Sequence, residues 1–286
     1  MKNTIWLVRK DELAVARWSG GTTTQLAIYP AGASYAERDF VWRVSTATIE
    51  EEESVFTPLP GVARVLVILS GMVTLRHDNG SKGDDGDGGG DCGGGDSGRG
   101  GCGGRDVALE ELVPYGFDGG VPTVSRGRAV DFNLMVVEGK GEGRVEVIRI
   151  GEGKVLRIGK GEMRILRRGE DEVGGLRIAE GEVEAMEVDG RAEPERPALI
   201  GGGKWGMVSE VYYFLRGGVD AVVGGERMSG KRMSEERTNV ARGASFSLGQ
   251  GDVLQLTAEA SRMQNLGLSN TGKGEAIVVR ATIRHD

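Results

Sequence analysis

Trp42-Arg43-Val44-Ser45-Thr46-Ala47-Thr48-Ile49 decides how the chain is read. Bulky and β-branched side chains alternate through it, which is the pattern of a strand. Trp42, Val44 and Thr46 then share one face. Arg43, Ser45 and Ala47 share the other. A guanidinium, a hydroxyl and a small residue on one face outline a polar pocket inside a barrel, or an outward face with a solvated arginine. Periodicity alone leaves both open.

Working outward, similar short runs recur at 22–29, 63–69, 72–77, 130–137 and 144–150, each bounded by Gly, Pro or charge. They return at 211–215, 244–248, 253–257 and 276–283. Helical character is confined to two short segments, 50–54 and 232–238. Many short strands between Gly-rich turns predict an all-β chain built as a sandwich or barrel. At 286 residues it has room for two small β domains or one large one.

The formal charge of −7 does not suit a phosphate backbone, so nucleic acid is not an expected partner. The apolar run 62–73 is interrupted by Arg64, Ser70 and Gly71 and is too short to span a bilayer, so no membrane is expected. Charge returns at Arg9 to Glu12, too early for a signal peptide. With two cysteines, Cys92 and Cys102, no disulfide framework is implied. These features predict a cytoplasmic protein.

The tract Gly80–Gly104 holds 14 Gly and five Asp in 25 residues. It has no large apolar side chain, and is expected to be a disordered insertion between two strands. Asp85, Asp87, Asp91 and Asp96 loosely echo a calcium loop, but the bidentate Glu and flanking helices are missing. Between 138 and 197, Gly-Glu-Gly-Arg at 141–144 and Gly-Glu-Gly-Lys at 151–154 are expected to be the turns of a hairpin meander. No Gly-Lys-Ser/Thr follows them, so no phosphate loop is indicated.

Metal chemistry is limited by arithmetic. His77 and His285 are the only histidines, so a three-His site cannot be built. No cofactor is expected. His77 is expected to be a surface residue at a strand end.

Three further clusters carry polar chemistry. In Gly20-Gly21-Thr22-Thr23-Thr24-Gln25, alternation sets Thr23 and Gln25 on one face and Thr22, Thr24 and Leu26 on the other. The cluster is equally a hairpin entering a Thr-rich edge strand. Arg64, after Pro60-Gly61, opens the strongest apolar strand. It could grip a carboxylate through two parallel bonds, or form a rim salt bridge. Asp131 and Asn133 face together in Asp131-Phe132-Asn133. They could end the preceding loop as an Asx turn, or Asp131 could neutralise a buried arginine from a neighbouring strand.

Taken in order, Trp18 to Gln25, Trp42 to Ala47, Pro60 to Arg64, Phe117-Asp118-Gly119 and Asp131 to Met135 resemble the HutD/Ves family of cupin-like proteins. The resemblance covers residues 5 to about 138, apart from the insertion at 80–104. It implies a bicupin, with two double-stranded β-helix (jelly-roll, RmlC-like) barrels. The first would span 1–138, a Gly-turn meander and connector 139–200, and strands over 201–286 would complete the second lobe. It also implies a role linked to histidine utilisation or stress response, with a small acidic metabolite such as formiminoglutamate as ligand. It brings no catalytic residue.

The resulting expectation is a metal-independent binder of a small carboxylate, held in the first barrel. Arg64 and Arg43 would be the anionic anchors, with Asp131 beside them. Thr23, Thr24, Gln25, Ser45 and Asn133 would supply neutral hydrogen bonds. The alternatives are a metal-free isomerase or hydrolase using Asp131 or a Glu as base, and an interaction protein with a vestigial pocket. A homodimer is left open.

Overall fold

Strand alternation is realised throughout the described residues, which contain no α-helix. The structure is a computed structural model describing residues 4–78, 104–159, 162–167, 205–224, 244–263 and 265–286. The Gly/Asp tract up to Gly103 and the segment 232–238 lie outside them.

In chain order the first eleven strands are β1 (Thr4–Val8), β2 (Val15–Trp18), β3 (Gly21–Tyr29), β4 (Trp42–Ile49), β5 (Glu53–Phe56), β6 (Val62–Gly71), β7 (Val73–Asp78), β8 (Gly104–Leu109), β9 (Pro114–Asp118), β10 (Thr123–Arg126) and β11 (Ala129–Val137). The remainder are β12 (Gly141–Ile150), β13 (Lys154–Gly159), β14 (Glu162–Arg167), β15 (Met207–Arg216), β16 (Val219–Val223), β17 (Ala244–Leu248), β18 (Val253–Glu259), β19 (Leu266–Asn270) and β20 (Ala276–His285).

They form four sheets. The orders β2-β3-β4-β11-β6-β9 and β5-β10-β7-β8 make the first lobe. The orders β1-β18-β15-β20-β12 and β14-β13-β19-β16-β17 make the second. Every strand pair in these ladders is antiparallel. Each lobe is therefore a jelly-roll barrel of two facing sheets, and the chain is a bicupin.

The first strand crosses over: β1 pairs with β18 in the second lobe, Thr4 opposite Thr257. Strands β12 to β14 also enter the second lobe's sheets.

Alternation assigns two jobs to each central strand. Leu66, Ile68, Ile49 and Leu75 fill the first barrel, together with Phe56. Trp42, Val44, Val65, Val67, Phe132 and Leu134 face the other way. They pack against Val145, Val211, Val253, Val279, Ala281 and Ile283 of the second lobe. One apolar core thus spans the junction of the lobes. A separate core around Leu156, Tyr212, Phe214 and Leu268 fills the second barrel.

Two sequence expectations are corrected. The segment 50–54 is not helical: Glu51 and Glu52 form a bend, and β5 follows, with Ser54 and Phe56 buried at period two. Pairing with β10 overrides the helical propensity of the glutamates. Gly141 and Gly143 are not turn residues but lie within β12. A Cβ on Gly143 would stand 2.9 Å from Leu134 Cδ2, so the glycine lets the lobes approach closely. The turn expected at 151–154 is present, with Gly153 at φ +67°.

Candidate functional site

The first barrel encloses two arginines. Arg43 on β4 is 4% exposed and Arg64 on β6 is 6% exposed. Both are fixed by strands whose opposite faces are locked into the junction core, so their backbones have little freedom. The solvated-face reading of Arg43 and the rim-salt-bridge reading of Arg64 are therefore set aside.

Arg43 is held by neutral acceptors. Its Nε donates to Gln25 Oε1 at 3.2 Å, Nη1 to Ser45 Oγ at 3.0 Å and Nη2 to Thr23 Oγ1 at 3.5 Å. Its guanidinium also lies 4.5 Å from the ring centre of Tyr35. Arg64 is held by faces rather than acceptors, 4.9 Å from the Phe56 ring centre and 5.2 Å from that of Phe117. Its Nε has no hydrogen-bond partner. Burial pulls the Arg64 pKa down to about 10 and pulls Arg43 in the same direction.

Asp131 lies within β11, opposite Ala47 on β4 and Ile68 on β6, so it is not an Asx-turn residue. It is 2% exposed. Burial outweighs the attraction of Arg64, a backbone hydrogen bond with Ala47 and the attraction of Arg43, and raises its pKa to about 7. Its Oδ1 and the Oδ1 of Asn133 are buried without partners. No direct ion pair joins Asp131 to either arginine among the described residues. One donor and two acceptors, all unpaired, thus remain in a barrel carrying two cations and one carboxyl group.

The structure brings together Arg43, Arg64, Thr23, Gln25, Ser45, Asp131 and Asn133. Thr24 is placed apart. It alternates out of the barrel on the side of Leu26, which packs into the junction core.

Sequence reasoning missed the aromatic wall. His77 is 5% exposed, which corrects its expected surface position. Thr123 Oγ1 donates to the Val121 carbonyl at 2.9 Å and so accepts from His77 Nδ1 at 3.0 Å. His77 Nε2 then accepts from the Tyr115 hydroxyl at 3.1 Å. The rings of His77, Tyr115 and Phe117 stack or tilt against one another at 5.1–5.9 Å. Burial and Arg105 hold the His77 pKa below its ordinary value. Period-two alternation from Leu75 and from Phe117 was the available signal for this wall. A cleft of about 250 Å³ between the lobes is lined in part by Arg64 and Phe117.

The second lobe supplies an internal comparison. Strands β4-β11-β6-β9 and β12-β20-β15-β18 have the same order, and both contain one bulge, at Leu69 on β6 and Leu215 on β15. Matching the bulges places Glu210 where Arg64 stands, Arg280 where Asn133 stands and Glu146 where Ser45 stands. The charge is inverted at the Arg64 position, and the other two positions exchange neutral residues for charged ones. Arg280 pairs with Glu210 and with Glu146, and Tyr212 donates to Glu210. Although burial pulls Arg280 down, Tyr212, Glu210 and Glu146 hold its pKa above the ordinary value. The cation of the second barrel has its own carboxylates; those of the first have a single weakly acidic one.

His77 lies in the first barrel, whereas His285 lies at the lobe junction against Tyr29 and Ser209. Among the described residues no three His, Cys, Asp or Glu are grouped to hold an ion. No helix among them is long and apolar enough to cross a membrane.

Comparison with known proteins bears on the fold and on the amino-terminal motifs. Residues 10–89 match the family model described as HutD. The chain is similar to the conserved protein of unknown function PA5104 from Pseudomonas aeruginosa PAO1, at 16% identity and a TM-score of 0.57, over 99% of this chain and 100% of that one. HutD from Pseudomonas fluorescens SBW25 aligns at 17% identity and a TM-score of 0.50, again over 99% and 100%. Vicilin from Solanum melongena aligns at 10% identity and 0.52, over 98% and 84%. No curated protein matches the chain. At these identities the solved structures speak for the fold, and the family match speaks for the motifs it covers. The chain is a two-lobed, cupin-type protein whose residues 10–89 carry the HutD family pattern.

Proposed function

We propose that this protein binds a small carboxylate-bearing metabolite in its first barrel, without a metal, in a regulatory role linked to histidine utilisation. One observation carries the reading: two buried guanidiniums face one weakly acidic carboxyl, with Arg64 Nε unpaired. A buried cation without its counter-charge is costly, and an incoming carboxylate would supply that charge through charge-assisted hydrogen bonds. Gln25, Ser45 and Thr23 hold Arg43 in place, so little side-chain entropy remains to be lost on binding. The histidine-utilisation link rests on the HutD family match over residues 10–89. A vicilin similar in fold is described with different anionic ligands in structurally similar pockets. That protein's ligands are consistent with a cupin barrel that takes anions.

The test is a thermal-shift and calorimetric screen of acidic intermediates of histidine breakdown. A saturable shift by at least one of them, lost in Arg64→Met, is the expected result. The absence of any shift across the series would remove the reading.

One observation favours a second reading. A buried carboxyl with a pKa of about 7 is poised to exchange a proton at neutral pH, as a general base does. Chemical conversion of a bound acid by the purified protein, abolished in Asp131→Asn, would make the site catalytic.

A further inference from the structure

The charge of the first barrel depends on one proton. We propose that Asp131 selects the valence of the bound anion: ionised, it favours a monocarboxylate, and protonated, it admits a dicarboxylate, so a dicarboxylate enters together with a proton. The inference rests on the anion-binding reading given above.

The argument is electroneutrality in a buried space. Arg43 from β4 and Arg64 from β6 are the cations facing Asp131. With Asp131 ionised the three groups sum to one positive charge, which one monocarboxylate neutralises. With Asp131 protonated they sum to two, which one dicarboxylate neutralises. Any other combination leaves net charge where water is scarce, at a cost in affinity.

Among the described residues no other titratable group facing Asp131 is free to take the proton. Tyr35, from the loop before β4, covers Arg43. On the facing sheet and on β9, His77 and Tyr115 are bonded to each other, and the second nitrogen of His77 is taken by Thr123. Phe56, Leu75 and Ser125 from that sheet are neutral. The proton therefore has one place to go, the unpartnered Oδ1 of Asp131. Because burial holds this carboxyl up to about 7, both forms are populated near neutrality. The second barrel cannot work this way, because Glu146 and Glu210 already neutralise Arg280.

The direction with pH follows. An added anion raises the Asp131 value further, and a dianion raises it more than a monoanion does. Above about pH 7 the free site is ionised and must take up a proton to accept the dianion. Affinity for the dianion then falls as pH rises, by at most about tenfold per unit for one proton. Below about 7 the dependence levels off.

Formate and oxalate serve as probes, since both stay fully ionised between about pH 6.5 and 8.5. The full chain and its Asp131→Asn variant are titrated calorimetrically with each anion, in buffers of different ionisation enthalpy. The expected result is close to one proton taken up per oxalate above pH 7, a smaller fraction per formate, and an oxalate affinity that falls with pH. In Asp131→Asn the oxalate affinity should be flat with pH, with oxalate preferred throughout. Equal proton uptake for the two anions in the wild type overturns the proposal, and that measurement needs no variant. So does a pH slope that survives in Asp131→Asn. If neither anion binds at any pH, the anion-site reading fails and this proposal falls with it.

Discussion

Replacing Arg64 by methionine should separate binding from folding. The side chain keeps its length and apolar stem but loses the charge. Burial lowers the arginine from 12.5 to about 10, so keeping it ionised at neutral pH costs the fold about 3 kcal/mol. The sign is that of a depressed cation: the cost is present below about pH 10. Against it stand the contacts with Phe56 and Phe117, worth about 0.5–2 kcal/mol each. Asp131 would lose one attracting cation and answer by staying protonated, which limits the penalty on its side. The sum predicts that Arg64→Met is between about 1 kcal/mol less and 2 kcal/mol more stable than the wild type. Binding should move far more. Losing charge-assisted bonds of about 1.5–3 kcal/mol weakens a carboxylate ligand about 10- to 150-fold. Arg64→Lys should restore only part of this, since it keeps the charge without the planar fork. Urea denaturation at pH 7 and calorimetric titration with the best acid from the screen supply both numbers. A loss of more than about 3 kcal/mol in Arg64→Met with an unchanged dissociation constant would make Arg64 a structural residue and refute the reasoning.

Asp131→Asn should gain stability over the wild type as pH rises. The folded pKa of about 7 lies above the ordinary carboxyl value, so the wild type loses up to about 4 kcal/mol from this group between about pH 4 and 7, and the asparagine does not. A variant-minus-wild-type difference that stays flat from pH 5 to 8 would count against it. Gly119→Ala should destabilise by about 1–3 kcal/mol and also weaken carboxylate binding. Its Cβ would meet the Val62 carbonyl at 2.6 Å and Arg64 Cδ at 3.0 Å, pushing on the anchor itself. Unchanged unfolding and titration curves would show that the turn yields freely. Elemental analysis of the purified chain should find no stoichiometric transition metal, given that its two histidines lie in different places. One tightly held zinc, iron or manganese per chain would reopen the question of chemistry.

The site was legible wherever period-two alternation was uninterrupted. Trp42–Ile49 forms a strand with the bounds its sequence suggested, and Arg43 and Ser45 share a face as alternation required. The same rule set Thr24 on the other face, where the structure has it, although pooling the threonines by composition had drawn it into the site. His77 was misjudged because nearness to a Gly/Asp tract says nothing about its partners in space: Tyr115 covers it from the opposite sheet and Thr123 holds it from the neighbouring strand β10. Strand β5 was misjudged because glutamates favour helix locally, whereas its buried Ser54 and Phe56 answer to β10. The partner-free oxygen of Asp131 was beyond reach of the sequence, since it depends on four strands meeting at one depth.

The crossing of β1 has a consequence for synthesis. Residues 4–8 leave the ribosome long before their hydrogen-bonding partner, β18, which begins at residue 253. At about 5–20 residues per second the wait is on the order of 10–50 s. Until then Ile5 and Leu7, which belong to the second core, must stay solvated or be shielded, and an unpaired strand of this kind invites foreign partners. The nascent first lobe also exposes the apolar face of Trp42, Val44 and Phe132 during the same interval. Its own barrel can close early, but that face is covered in full only once β20 has joined β12, β15 and β18. Strands β1 and β20, about 270 residues apart in sequence, thus belong to the same sheet, and termination before β15 would release a first lobe with one bare side.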